Sequence, residues 1–235
     1  MKKLGLILGL VLASLALAGL IVFGHARDDE DASGGKSADQ TGLPWQIEAL
    51  PSGASRVFGL TLADSPQTAS TLGDAQSRWA ADFQMAVIAA PGENGTLEAY
   101  VESAVLGFVT GKLVITAQVS PQVIQGFRER AAKTEYMDST TRRYRLSAAD
   151  AETALKSPIL ALAFIPQAQL DADVVSARFG APAQRLRGNE HQEHWLYPDK
   201  GLSITLDSEG KELLQYVAPA HFARLRDPLR ASQAH

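Results

Sequence analysis

Cysteine is absent from this 235-residue chain. That excludes a disulfide framework, a thiol nucleophile, cysteine-ligated zinc and an acylated cysteine as membrane anchor. A basic excess is missing too. Against 22 Lys and Arg stand 26 Asp and Glu, a formal charge of −4, spread as +2 over residues 1–26, −3 over 27–40 and −3 over 41–235. Nucleic-acid binders carry a basic stripe or excess, so no nucleic-acid partner is expected. Motifs of catalysis are lacking as well. The chain has no Gly-x-Ser-x-Gly elbow, no phosphate loop around Gly111-Lys112 and no His-Glu-x-x-His pair. No catalytic residue, metal ligand or cofactor is assigned.

Long apolar runs are absent with one exception, Leu4 to Phe23. Twenty residues at ~1.5 Å each match the ~30 Å hydrocarbon core of a bilayer. Lys2 and Lys3 precede the run, and Arg27, Asp28, Asp29, Glu30 and Asp31 follow it. This predicts a signal anchor at residues 1–26 that keeps the N-terminus in the cytoplasm and the rest outside. The expected address is the inner (cytoplasmic) membrane, single-pass. A cleaved signal peptide is the rival reading, because Ala16-Leu17-Ala18 and Gly24-His25-Ala26 offer small-residue cleavage sites. Cleavage after Ala18 would leave Leu20 to Phe23 exposed, and signal cores span only about 7–15 residues. Cleavage would give a secreted or periplasmic domain; either way the domain is exported.

Residues 27–42 are polar, Gly/Ser-containing and without hydrophobic period, as expected of a flexible linker. Beyond them the pattern predicts an α+β fold. Residues 43–166 form a first α+β unit with a helical extension, and residues 167–235 a second unit with a C-terminal tail. Val57, Leu60 and Leu62 read as one strand. Leu72, Ala75, Trp79 and Phe83 have helical spacing behind Ser70 or Thr71 as cap. Strands follow at Met85–Ala89, Leu97–Val105 and Lys112–Val119, with Asn94-Gly95 as a two-residue hairpin signal. Ser120-Pro121 and Ser147 open two further helices. Arg142–Leu146 and Ile159–Ile165 read as extended.

The opening pattern then recurs. Arg78-Trp79-Ala80 is echoed by Arg178-Phe179-Gly180 after a second helix through Leu170, Val174 and Val175. Gly111-Lys112-Leu113-Val114-Ile115-Thr116 is echoed by Lys200-Gly201-Leu202-Ser203-Ile204-Thr205. Strand candidates lie between the markers both times, Gln184–Arg187 and His194–Tyr197 in the second copy, which closes with a strand from Glu212 to Val217. We read a duplicated helix–three-strand unit. Arg178, Phe179, Gly180, Pro182, Trp195, Tyr197, Gly210 and Tyr216 make residues 167–217 resemble the small outer-membrane assembly lipoproteins that accompany the β-barrel insertion machinery. The tandem arrangement is similar to the β-lactamase inhibitor protein architecture. The resemblance implies two such units side by side with one concave sheet face. The chain lacks both the lipidated cysteine and the inhibitor's cysteine pairs, so the resemblance implies fold and not activity.

Several clusters invite a functional reading. His191 and His194, with Glu190 and Glu193, could mark an exported metal-dependent hydrolase. Histidines three apart on a strand point to opposite faces, however, and a solvated hairpin tip accounts for the cluster. Arg128, Arg130, Arg142, Arg143 and Arg145 form the only basic concentration. Trp79 and Phe83 read as core. Trp195 and Tyr197 share one strand face, and with Tyr100 they are the expected binding surface if the helices leave the other sheet face open. The functional expectation is a non-catalytic, periplasmic-type interaction module. Its partners are the membrane, through Leu4–Phe23, and an envelope protein or peptide.

Overall fold

The computed structural model describes residues 42–63, 65–137 and 140–232. The Leu4–Phe23 run and most of the linker lie outside them. No described helix is long and apolar enough to cross a membrane.

Secondary structure is α+β, with five helices and two antiparallel sheets among the described residues. A small sheet pairs β1 (Glu48–Ala49), β2 (Ser55–Val57) and β3 (Leu60–Leu62). The single strand read through Val57, Leu60 and Leu62 is therefore a hairpin, turned at Phe58-Gly59, where both residues have positive φ. The large sheet has ten strands: β4 (Phe83–Ala89), β5 (Thr96–Leu106), β6 (Val109–Ala117), β7 (Lys133–Tyr136), β8 (Arg142–Arg145), β9 (Ile159–Pro166), β10 (Gln184–Arg187), β11 (Gln192–Tyr197), β12 (Leu202–Asp207) and β13 (Leu213–Val217). Their spatial order is β10-β11-β12-β13-β9-β6-β5-β4-β8-β7, every pairing antiparallel. Where the sequence led us to expect two sheets side by side, β9 and β13 pair and fuse them into one.

The helices are α1 (Leu72–Arg78), α2 (Pro121–Glu129), α3 (Ala148–Ala154), α4 (Ala172–Phe179) and α5 (Ala223–Ser232). Side chains cap the first four. Thr71 and Asp74 close a reciprocal capping box on α1, and Ser120, Ser147 and Asp171 accept from the third residue of the next three. Helix α1 stops at Arg78, earlier than the apolar spacing implies. A 3-10 turn intervenes, and Phe83 begins β4 instead of ending the helix. Trp79 and Phe83 are consequently only half-buried, packed against the edge of the core. The Asn94-Gly95 signal also resolves differently. Ile88 pairs with Thr96, so a six-residue link, 90–95, joins the strands where a two-residue turn was expected, and Gly95 takes φ +91 within it.

One face of the large sheet carries the main core. Val87, Leu97, Ala99, Leu113, Ile115, Leu162, Phe164, Trp195, Ile204 and Tyr216 pack there against Leu72, Phe127, Val175 and Phe179 from the helices. The small hairpin inserts into the same layer. Phe58 meets Tyr216 and Phe164 at ring distances of 5.0 and 5.9 Å, and the Tyr216 hydroxyl donates to the Pro44 carbonyl at 3.0 Å. Leu202 and Ile204 face this core and Leu206 packs against it, with Ser203 and Thr205 on the reverse face. That reverse face is not fully open. Helix α5 packs on it through Leu225, with Phe222 just before the helix, over Leu186, Leu196 and Val217.

Two stretches of chain run through a similar succession of elements. Residues 72–166 give α1-β4-β5-β6 and then β9, after an excursion through α2, β7, β8 and α3. Residues 172–217 give α4-β10-β11-β12 and pass directly to β13. Read outward from the β9/β13 pair, the strands match: β6 with β12, β5 with β11, β4 with β10. The registers agree. Ile115 pairs with Ala99 and Leu162, while Ile204 pairs with Trp195 and Leu214. Ala163 pairs with Gln215 at the centre. The α2-to-α3 excursion adds β8 and β7 outside β4, where β10 has no counterpart beyond it.

Candidate functional site

Trp195 and Tyr197 are buried, 1% and 4% exposed, in the main core. This corrects the expectation that they form a binding surface. They do share a strand face, but it is the face that packs against α4. The Tyr197 ring lies 6.4 Å from that of Phe179, and its hydroxyl donates to the Gly180 carbonyl at 3.0 Å. Burial pushes its phenol up to about 12. Arg185 covers the Trp195 ring at 3.9 Å, and the indole N–H donates to Glu193 at 2.7 Å. Tyr100 lies on the reverse face, half-buried beside Val114, with its hydroxyl on Glu102. The three aromatics therefore do not converge.

The two histidines separate as strand geometry requires. His191 sits in the β10–β11 turn, with Nδ1 3.2 Å from Glu209. His194 is buried on the reverse face with Nδ1 2.9 Å from the Thr205 hydroxyl, and burial lowers its pKa. Among the described residues no three His, Cys, Asp or Glu side chains come together to hold a metal.

The arginine concentration is dispersed into separate contacts. Arg128 donates to the Glu93 and Asn94 carbonyls, both at 3.0 Å, and covers the Tyr144 ring. Arg130 pairs with Asp150 at 2.7 Å, and this hydrogen bond holds the Asp150 carboxyl below its ordinary range. Arg145 binds Glu135 at 3.0 Å, and Lys133 binds the same carboxylate at 2.7 Å.

Two surfaces that the sequence reading did not single out stand out instead. The first is β7, the terminal strand of the large sheet. Met137 donates to the Thr141 carbonyl at 3.0 Å, which continues the β7–β8 register. In an antiparallel ladder bonded and non-bonded pairs alternate. Glu135 and Lys133 therefore bond to β8, while the N–H and C=O of Thr134 and Tyr136 point outward from the sheet. Tyr136 is 70% exposed, the most exposed large hydrophobic residue among those described. Arg142 holds it upright, with the guanidinium 4.9 Å from the ring centre and 2.8 Å from the hydroxyl. The opposite terminal strand, β10, differs. Leu186 is buried beneath α5, Arg185 lies across Trp195, and Arg230 of α5 donates to Gln184 at 2.9 Å.

The second is the tip of the β5–β6 hairpin. Leu106 pairs with Val109 around Gly107-Phe108, with φ +64 at Gly107, leaving Val105 and Phe108 60% and 57% exposed. The Trp45 ring packs between Phe108 at 5.8 Å and Phe179 at 6.2 Å, with Arg178 4.9 Å from its centre.

Glu98, near the start of β5, is 3% exposed on the reverse face. Thr96 donates to one carboxylate oxygen at 2.8 Å, and the other has no partner. Burial pushes its pKa up to about 7. It pairs across the ladder with Thr116, as His194 pairs with Thr205, so Glu98 and His194 occupy matching positions in the two halves.

No protein-family model, curated protein or solved structure matches the chain.

Proposed function

We propose that this chain is a membrane-anchored, extracytoplasmic interaction module, built on a duplicated helix-plus-strand unit, that binds an extended segment of a protein partner along β7. The carrying observation is the edge itself: two outward-pointing backbone N–H and C=O pairs, at Thr134 and Tyr136, flanked by an exposed, oriented tyrosine. An extended peptide can add to such an edge through main-chain hydrogen bonds, with side chains giving specificity. Exposed edges are a liability that proteins ordinarily blunt. The Leu4–Phe23 run supplies the tether, and the lysines before it set the orientation.

Two experiments test this reading. A photo-crosslinking amino acid replaces Tyr136 or Arg187 in the full-length chain, in the membranes of a cell that expresses it. One discrete adduct from position 136 and none from 187 is expected; equal adducts from both edges contradict it. For topology, alkaline phosphatase fused after His235 should be active and the chain should resist carbonate extraction. An inactive fusion overturns the outward orientation.

A further inference from the structure

We infer that the β5–β6 tip, with Val105, Phe108 and Trp45, seats in the headgroup–acyl boundary of the same bilayer that holds the Leu4–Phe23 anchor. The inference rests on the anchor reading but concerns a different surface and a different partner from β7.

The turn chemistry comes first. A two-residue hairpin loop with a glycine of positive φ at its first position needs Gly107, and it makes no demand for an apolar residue after it. Phe108 is there nonetheless, more than half exposed, and Val105 two residues before Gly107 is equally exposed. Loop tips in water ordinarily carry Asn, Asp, Ser or Gly. Phe108 is also not isolated. Its ring leans on Trp45, and the exposed Arg178 lies across that indole. An aromatic pair, a further aliphatic side chain and a cation make up the composition that settles at membrane interfaces, with rings at headgroup level and the guanidinium beside lipid phosphates.

The tether says which surface this tip meets. Eighteen residues separate Phe23 from Gly42, and on the linker reading of their polar composition the expected root-mean-square span is about 25 Å. The described fold begins at Gly42, and Trp45 is only three residues on. The part of the domain around Trp45 is therefore held within about one domain radius of the bilayer. Tethering raises the effective concentration of the tip at that surface, so a weak apolar contact suffices.

Because the chain has no cysteine, single labels can be placed without background. Full-length Val105→Cys, Phe108→Cys and, as a distant exposed control on α3, Glu152→Cys each receive a nitroxide. They are reconstituted into vesicles of phosphatidylcholine and phosphatidylglycerol and recovered by flotation. Collision rates with oxygen and with a water-soluble nickel chelate are then compared. The expected result is an oxygen-to-nickel ratio at 105 and 108 at least fivefold above that at 152, with unfolding temperatures equal to the unsubstituted chain. If the protein floats but all three labels report water, the tip proposal is wrong and the anchor stands. If it does not float, the anchor reading fails and the tip proposal fails with it.

Discussion

In the second half of the sheet, β11 sends Trp195 and Tyr197 into the core; at the matching positions of the first half, β5 sends Ala99 and Val101. The path of the chain is shared and the filling is not. The first half receives bulk from elsewhere: Phe127 and Tyr144, both from the α2-to-α3 excursion, join the same core. That excursion also adds β8 and β7, so the half with the smaller strand side chains ends in an exposed edge. The second half carries its own aromatic volume and ends at β10, beside which α5 packs. A repeated scaffold can thus divide its duties, one half consolidating the core and the other extending the surface.

The division predicts unequal responses to equivalent substitutions. The largest effect is expected at Trp195. Replacement by alanine should cost about 3–5 kcal/mol in chemical denaturation. Ala99→Gly at the matching site removes one methyl and should cost only about 1 kcal/mol. Similar losses at both sites would mean that the two halves fill their cores alike.

Glu98 and His194 sharpen the comparison through pH. Burial raises the Glu98 carboxyl to about 7, so between the ordinary carboxylate range and pH 7 the folded state holds the extra proton. The stability this proton confers is fully present at acid pH and is lost as pH rises through 7, on the order of 3 kcal/mol. Glu98→Gln should abolish that slope and raise the unfolding temperature at pH 8. His194 has the opposite sign. Burial lowers its pKa, so the folded state favours the neutral ring and stability falls as pH drops below about 6.5. His194→Gln should flatten that acid-side loss. Denaturation midpoints measured from pH 4.5 to 8 for both variants separate the two slopes, and slopes of the same sign would contradict the assignment.

A smaller effect is expected at the helix starts. Ser120→Ala and Asp171→Ala remove the caps of α2 and α4, and each should cost about 1 kcal/mol. Because α2 belongs to the excursion and α4 to the repeated path, the partner adduct at position 136 should weaken with Ser120→Ala and hold with Asp171→Ala.

Much of this fold was legible in the sequence because its signals are local. Serine followed by proline placed α2, and the apolar run between prolines placed β9. The echo at Gly111 and Lys200 marked matching strands. Trp195 and Tyr197 were misread because alternation says that they share a face and not which face is covered; that depends on α4, brought over them by a long-range connection. Tyr136 escaped notice because Lys-Thr-Glu-Tyr has little hydrophobic pattern, and only the strand order makes it an edge. The join of β9 to β13 has no local signal, since nothing in either strand's own sequence names its neighbour.

The account's central claim is that partner binding uses the outward main chain of β7. Thr134→Pro tests it most directly. The Thr134 N–H points away from β8, so proline there leaves the ladder intact, as edge strands allow, and removes the first donor an added strand would use. The measurement is the yield of the position-136 crosslink in membranes, alongside the unfolding temperature of the purified chain. The account predicts at least a tenfold loss of adduct with an unfolding temperature unchanged within about 2 °C. An undiminished adduct on a folded Thr134→Pro chain would contradict it.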